Sequence, residues 1–219
     1  MRREDTSEEA VFRQEVRSWL EANAELRSEQ LEAPLDHSPE AEARAWEAMK
    51  VWQRTKYEGG WAAITWPEAY GGRGGTPIQQ VIFNEEQSNF DVPIGFIAAS
   101  LGMIGPALMR YGSEDQKKYL PAMLRGDEVW CQLFSEPEAG SDLAAVRTRG
   151  HVEGDELVIN GQKVWTTSAN FADKGFIVLR TNPDVRKHDG ISFALIDMNQ
   201  PGVEVRPLVT MRGDRHFNE

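Results

Sequence analysis

Cys131-Gln132-Leu133-Phe134-Ser135-Glu136-Pro137-Glu138-Ala139-Gly140-Ser141-Asp142 and, eighteen residues on, Asn160-Gly161-Gln162-Lys163-Val164-Trp165-Thr166-Thr167-Ser168-Ala169-Asn170 decide the fold of this chain. Each begins as a strand and ends in small polar residues. That pattern suits chain leaving a sheet to line a cavity. Glu153-Gly154-Asp155, between the two, is a hairpin signal, and so is Asn160-Gly161.

Working outward from Val129, the pattern on its C-terminal side is strand-like. Runs fall at 129–134, 146–152, 157–159, 163–167, 176–181, 191–197 and 203–208. On the N-terminal side the period is helical. Thr6 to Asn23 reads as a helix, capped reciprocally by Thr6 and Glu9, with Phe12, Val16, Trp19 and Leu20 on one face. A polar stretch, 25–37, reads as a loop. Ser38-Pro39 starts a second helix with inner stripe Ala45, Trp46, Met49, Trp52 and Gln53, ended by Gly59-Gly60. Residues 61–75, rich in Trp, Pro and Gly, read as a buried turn with aromatic packing. Thr76-Pro77 starts a third helix towards Phe90, and an apolar segment follows from Ile94 to Tyr111. Its Gly95, Gly102 and Gly105 each cost about 1 kcal/mol against alanine in an exposed helix, so close approach of another helix or of a ligand is expected there. Ser113 and Gln116 form another capping box, and that helix ends near Arg125-Gly126. The expected fold class is α+β in two domains: an all-α domain over 1–128, then a small antiparallel, barrel-like β domain over 129–219.

Composition narrows the function. A net charge of −11 with no basic cluster argues against nucleic acid. The single cysteine, Cys131, excludes an internal disulfide and fits a reducing compartment. His37, His151, His188 and His216 share no metal-ligand spacing, so no metal is expected. The N-terminus turns acidic at once, unlike a signal or transit peptide, and no run is long and apolar enough to span a membrane. The expected location is cytoplasmic. There is no internal repeat.

Ser135-Glu136-Pro137-x-Ala139-Gly140-Ser141-Asp142 followed by Asn160-Gly161-x-Lys163-x-Trp165-x-Thr167 resembles the middle domain of the acyl-CoA dehydrogenases. Trp66-Pro67-x-x-Tyr70-Gly71-Gly72 is similar to a segment between that family's early helices. The resemblance covers essentially the whole chain. It implies FAD-dependent removal of two hydrogens across the α and β carbons of an acyl-CoA thioester. Electrons would pass to an electron-transferring flavoprotein, in a homo- or hetero-oligomer. The chemistry needs a base for the α proton, donors to polarise the thioester carbonyl, and a flavin to accept the β hydrogen; the protein's part is positioning and electrostatics.

By the same resemblance Gln132, Phe134 and Ser135 lie where the first motif meets the flavin ring. Trp165 would stand beside the ring, Thr167 would offer a hydroxyl to N5, and Thr166 between them would offer backbone groups. Ser135 replaces the family's usual Thr and keeps the hydroxyl. Ser141 matches a position that bonds the pantetheine of CoA, and Asp142 is expected to brace the loop by an Asx turn. Gly140 is expected to permit a tight turn. Glu136 and Glu138 read as structural or rim residues, not as the base. The family's base is a glutamate of a C-terminal helical bundle, so no catalytic residue is assigned here, and the chain is expected to be a truncated portion. Two alternatives stand beside the dehydrogenase: a non-catalytic partner subunit, and a flavin-dependent oxidase or monooxygenase on the same fold.

Overall fold

The computed structural model describes residues 4–28, 36, 38–93, 95 and 97–219. His37, most of the loop expected over 25–37, and Ile94 at the start of the fourth apolar segment lie outside them. The chain divides into two compact units: Met1–Gly95 with Gly105–Asp127, and Phe96–Ile104 with Glu128–Glu219.

The first unit is helical. Helix α1, Ser7–Asn23, is closed at its start by the capping box of Thr6 and Glu9, and buries Phe12, Val16 and Leu20. Helix α2, Pro39–Glu58, is capped by Ser38 and buries Trp46, Met49, Trp52 and Gln53. Ala45, expected in that stripe, is exposed. Gln53 is held by donating through Nε2 to the Leu124 carbonyl at 2.8 Å. Helix α3, Pro77–Gln87, starts with a second capping box, Thr76 with Gln79. Short helices α4 (Gly105–Tyr111), α5 (Glu114–Lys117, capped by Ser113 and Gln116) and α6 (Leu120–Arg125) complete the unit.

Phe12, Val16, Leu20, Trp52, Trp61, Ile64, Ile82, Phe83 and Phe90 form the core of this unit, with Trp19 packed against it. The connector is the buried aromatic turn expected from its composition. Trp61 stacks on Phe83 with ring centroids 5.5 Å apart, and the Arg73 guanidinium lies 3.9 Å from the centroid of the Trp61 ring. Glu86 is buried between α1 and α3. Arg13 and Arg17 donate to its carboxylate at 2.9 Å each. Burial opposes its charge, and the two guanidinium groups prevail, holding the carboxyl below the usual range.

Two of the three glycines of the fourth segment behave differently from expectation, whereas Gly105 is buried. Gly95 sits at φ 141°, and a side chain on either Gly95 or Gly102 would meet nothing within 4 Å, so neither is closely packed among the described residues. Ser100–Ile104 instead forms a π-helical turn that groups with the strands. Ser100 Oγ accepts from the Trp130 N–H at 3.0 Å and donates to the Trp130 carbonyl at 3.3 Å.

The second unit holds β1 (Trp130–Leu133), β2 (Arg149–Glu153), β3 (Glu156–Asn160), β4 (Thr166–Thr167), β5 (Lys174–Arg180), β6 (Ile191–Asp197), β7 (Pro207–Leu208) and β8 (Phe217–Asn218). One sheet has the order β1-β5-β2-β3, with β6 also on β5, and a second has the order β4-β8-β7. Pairing is mostly antiparallel, but β1 and β5 run parallel, as do β2 and β5 where Arg149 meets Arg180. The connection from β1 to β5, 134–173, is a long crossover of the kind parallel strands require. The two ladders do not join into a closed barrel. Strand β5 is the centre and is buried on both faces. Ile177 and Leu179 pack with Cys131, Leu133, Ala169, Ala172 and Met198, whereas Val178 packs with Ala139 and Val146. Among the described residues no helix is long and apolar enough to cross a membrane.

Candidate functional site

Strand β1 turns Cys131 and Leu133 into the core, so the alternation of a strand puts Gln132 and Phe134 on the opposite face. Gln132 stands opposite Phe176 in the parallel register. The Phe134 ring lies 5.6 Å from that of Phe193, which stacks on Phe176 at 4.8 Å. After Ser135 the chain closes tightly, with Glu136 N donating to the Ala139 carbonyl at 2.8 Å and Ala139 N returning to Glu136 at 3.1 Å. Gly140, expected to permit this turn, lies just beyond it. It has no left-handed backbone, and a side chain there would meet nothing within 4 Å.

Glu136 is the knot between the two motifs. Its carboxylate accepts from the backbone N–H of Arg147 at 2.6 Å and of Thr148 at 3.0 Å, and from Lys163 Nζ at 2.8 Å. Lys163 also donates to the Phe134 carbonyl at 3.0 Å, and Val164 N donates to Ser135 O at 2.9 Å. Both side chains of the ion pair are buried. Burial works against both charges. The lysine and the two amides still hold the Glu136 carboxyl below the usual range, while desolvation draws the Lys163 ammonium below its ordinary value against the pull of Glu136. The structural role expected for Glu136 therefore has a named partner that the sequence reading passed over. A lysine directly before Val164 and Trp165 was the available signal, since lysine is rarely buried unless paired.

Asn160-Gly161 is not a hairpin turn. The β2–β3 hairpin turns at Gly154-Asp155, with Gly154 at φ 62°. Gly161 is glycine because a side chain would stand 2.3 Å from Thr148 Oγ1 and 2.6 Å from Thr148 Cα. Beyond it the backbone bends sharply. Trp165 has φ 60° and Ser168 φ 55°, the left-handed region that bulky residues avoid, and the Trp165 side chain is 62% exposed. Thr167 is exposed like Trp165, and Thr166 between them is buried, with its carbonyl taken by Asn218 Nδ2 at 3.1 Å.

The chain thus brings Gln132, Phe134 and Ser135 beside Trp165, Thr166 and Thr167. The side chains of Gln132, Ser135 and Thr167 make no hydrogen bond with the described residues. An exposed indole held in a costly backbone conformation, flanked by uncommitted hydroxyls and an amide, suits a flat ligand with apolar faces and a polar edge. An isoalloxazine ring fits that description. Ser141 is exposed on the next loop, and no bond ties it to the other six. Asp142 makes no Asx turn; its carboxylate pairs with Lys187, and Glu138 pairs with Arg147 at the rim.

Comparison with known proteins shows the family. The family model for the acyl-CoA dehydrogenase N-terminal domain matches residues 6–127, and that for the middle domain matches 131–218. The chain belongs to the acyl-CoA dehydrogenase family. It is 38% identical over 209 residues to acyl-CoA dehydrogenase IpdE1 of Mycobacterium tuberculosis, covering 95% of this chain and 54% of that protein. Among solved structures, one described as the Tcur3481-Tcur3483 steroid ACAD superposes with a TM-score of 0.79 at 30% identity, covering 100% of this chain and 55% of that one. The ChsE4-ChsE5 complex from Mycobacterium tuberculosis gives 0.78 at 32% identity, covering 100% and 54%. The chain spans about half the length of the curated relatives it matches.

Proposed function

We propose that this chain is part of an FAD-dependent acyl-CoA dehydrogenase, with its β domain, 129–219, supplying the side of the flavin site described above and 1–128 forming the separate helical domain. The observation that carries the reading is Trp165, displayed in a left-handed conformation beside the free hydroxyls of Ser135 and Thr167. Bound there, the flavin supplies the two-electron acceptor. The chain's own residues hold the ring. Trp165 would stand beside the ring, Ser135, Thr167 and Gln132 would bond its polar edge, and Phe134 and Thr166 would offer backbone groups to it. Ser141 is read as the contact to the pantetheine of the thioester substrate. The base is expected in chain beyond this stretch, as is the remainder of the cofactor site. Alone, these 219 residues would bind flavin weakly and not turn over. An electron-transferring flavoprotein is the expected acceptor, and the cytoplasm the expected location.

A second reading has its own support. Two of the structures this chain resembles are named as pairs, Tcur3481-Tcur3483 and ChsE4-ChsE5. A subunit of a hetero-oligomeric dehydrogenase acting on steroid-derived acyl-CoA, with the site shared between unlike chains, accords with those names.

Titrating the purified chain with FAD tests the flavin reading. Bound flavin should show a structured visible absorption band, lost in Trp165→Ala and Thr167→Ala. Affinity unchanged in both variants would overturn it.

A further inference from the structure

We infer that Phe217 and Asn218 are positioning residues for Trp165–Thr167, a role that rests on the flavin reading above. The two left-handed residues, Trp165 and Ser168, bracket strand β4. Such conformations persist only where the surroundings over-determine them. Here one short strand does so. In the ladder of β4 with β8, Thr166 faces Asn218 and Thr167 faces Phe217. Ser168 N donates to the His216 carbonyl at 2.9 Å. Asn218, fully buried, spans the bend, donating to Thr166 O at 3.1 Å and to Asn170 Oδ1 at 3.2 Å.

The indole itself is held from one side. Its ring partner among the described residues is Phe217, edge-on at 85° with centroids 6.0 Å apart. Phe217 in turn meets the His216 ring at 5.0 Å and 75°. Edge-to-face pairs at this separation are favourable and directional. A large ring that is mostly in solvent otherwise samples several rotamers, and a ligand must then pay for ordering it. Phe217 fixes the rotamer in advance, and Asn218 fixes the backbone that carries it.

Fluorine NMR of the chain labelled with 5-fluorotryptophan reads this without any cofactor, with Trp165→Phe assigning the resonance. In Phe217→Ala the Trp165 resonance should move to the position of free fluorotryptophan and sharpen. FAD affinity should fall about tenfold, a loss of the size that one ordered contact controls. Phe217→Tyr should restore both. Phe217→Leu, which keeps apolar volume without a ring edge, should move the resonance even if the alanine variant fails to fold. An unmoved resonance in Phe217→Leu overturns the inference. So does a moved resonance with unchanged FAD affinity, provided that Trp165→Ala weakens FAD. If the wild-type chain takes up no FAD, or Trp165→Ala leaves its affinity unchanged, the flavin reading fails, and the resonance still decides whether Phe217 holds the indole.

Discussion

At the residue scale the site depends on one buried ion pair. Removing Glu136 leaves Lys163 charged and enclosed, with the Phe134 carbonyl as its remaining partner. Breaking a buried pair from one side costs roughly 3–5 kcal/mol, so Glu136→Gln should lower the urea midpoint of the β unit strongly. Glu136→Gln with Lys163→Met should recover part of that loss, because no unpaired charge is then buried. A double cycle that is simply additive would show that the pair is not coupled. Cys131 offers a quieter check. Burial pushes its thiol up to about 12, so it should resist thiol reagents at neutral pH until the unit unfolds, and prompt labelling of the folded chain would contradict its place in the core. What the sequence revealed at this scale was residue type. Trp165 and Thr167 could be picked out, but the left-handed turn that exposes the indole could not, because it is set by contacts with His216, Phe217 and Asn218, about fifty residues away.

Elements were legible where their signals are local. The Thr6–Glu9 and Ser113–Gln116 boxes and the Ser38-Pro39 start depend on neighbours within three residues, and each stands as read. Pairing across distance was not legible. The parallel β1–β5 register and the π-helical turn at Ser100–Ile104 depend on which strands meet, and no short window encodes that. Asn160-Gly161 illustrates the difference. As a dipeptide it signals a hairpin, yet its glycine answers to Thr148, just before β2. The two glycines flanking β3 should therefore respond unequally. Gly154→Ala meets open space and costs about 1–2 kcal/mol of left-handed strain. Gly161→Ala must displace backbone at Thr148, and overpacking of this kind costs typically ~1–3 kcal/mol, occasionally more. It should also disturb the Glu136–Lys163 knot beside it. Urea unfolding of the two variants with unchanged slope compares them directly, and an equal or larger loss for Gly154→Ala would mean that the approach to Thr148 is slack.

For the molecule as a whole, each unit hides one carboxylate against basic partners: Glu86 with Arg13 and Arg17, and Glu136 with Lys163. Both are held below their ordinary value of 4.5. A carboxyl whose folded value is depressed contributes stability that is complete at neutral pH and is lost as pH falls from the unfolded value through the folded one. The acid limb of stability should therefore begin below about pH 5 and be carried by both units. Glu86→Gln and Glu136→Gln should each flatten that limb while lowering stability at pH 7. Their costs should differ. Arg17 keeps access to water, and Arg13 keeps Asp5 and Glu85 as partners, when Glu86 is neutralised, so that loss is nearer to about 1–3 kcal/mol. Lys163 has no such access. The net charge of −11 pulls the other way, since protonating surface carboxylates relieves self-repulsion before the buried pair is reached. Stability measured from pH 7 to pH 3 should accordingly hold level or rise slightly, then fall steeply. A monotonic decline beginning near neutrality, unchanged in both variants, would show that neither buried carboxylate controls the acid response.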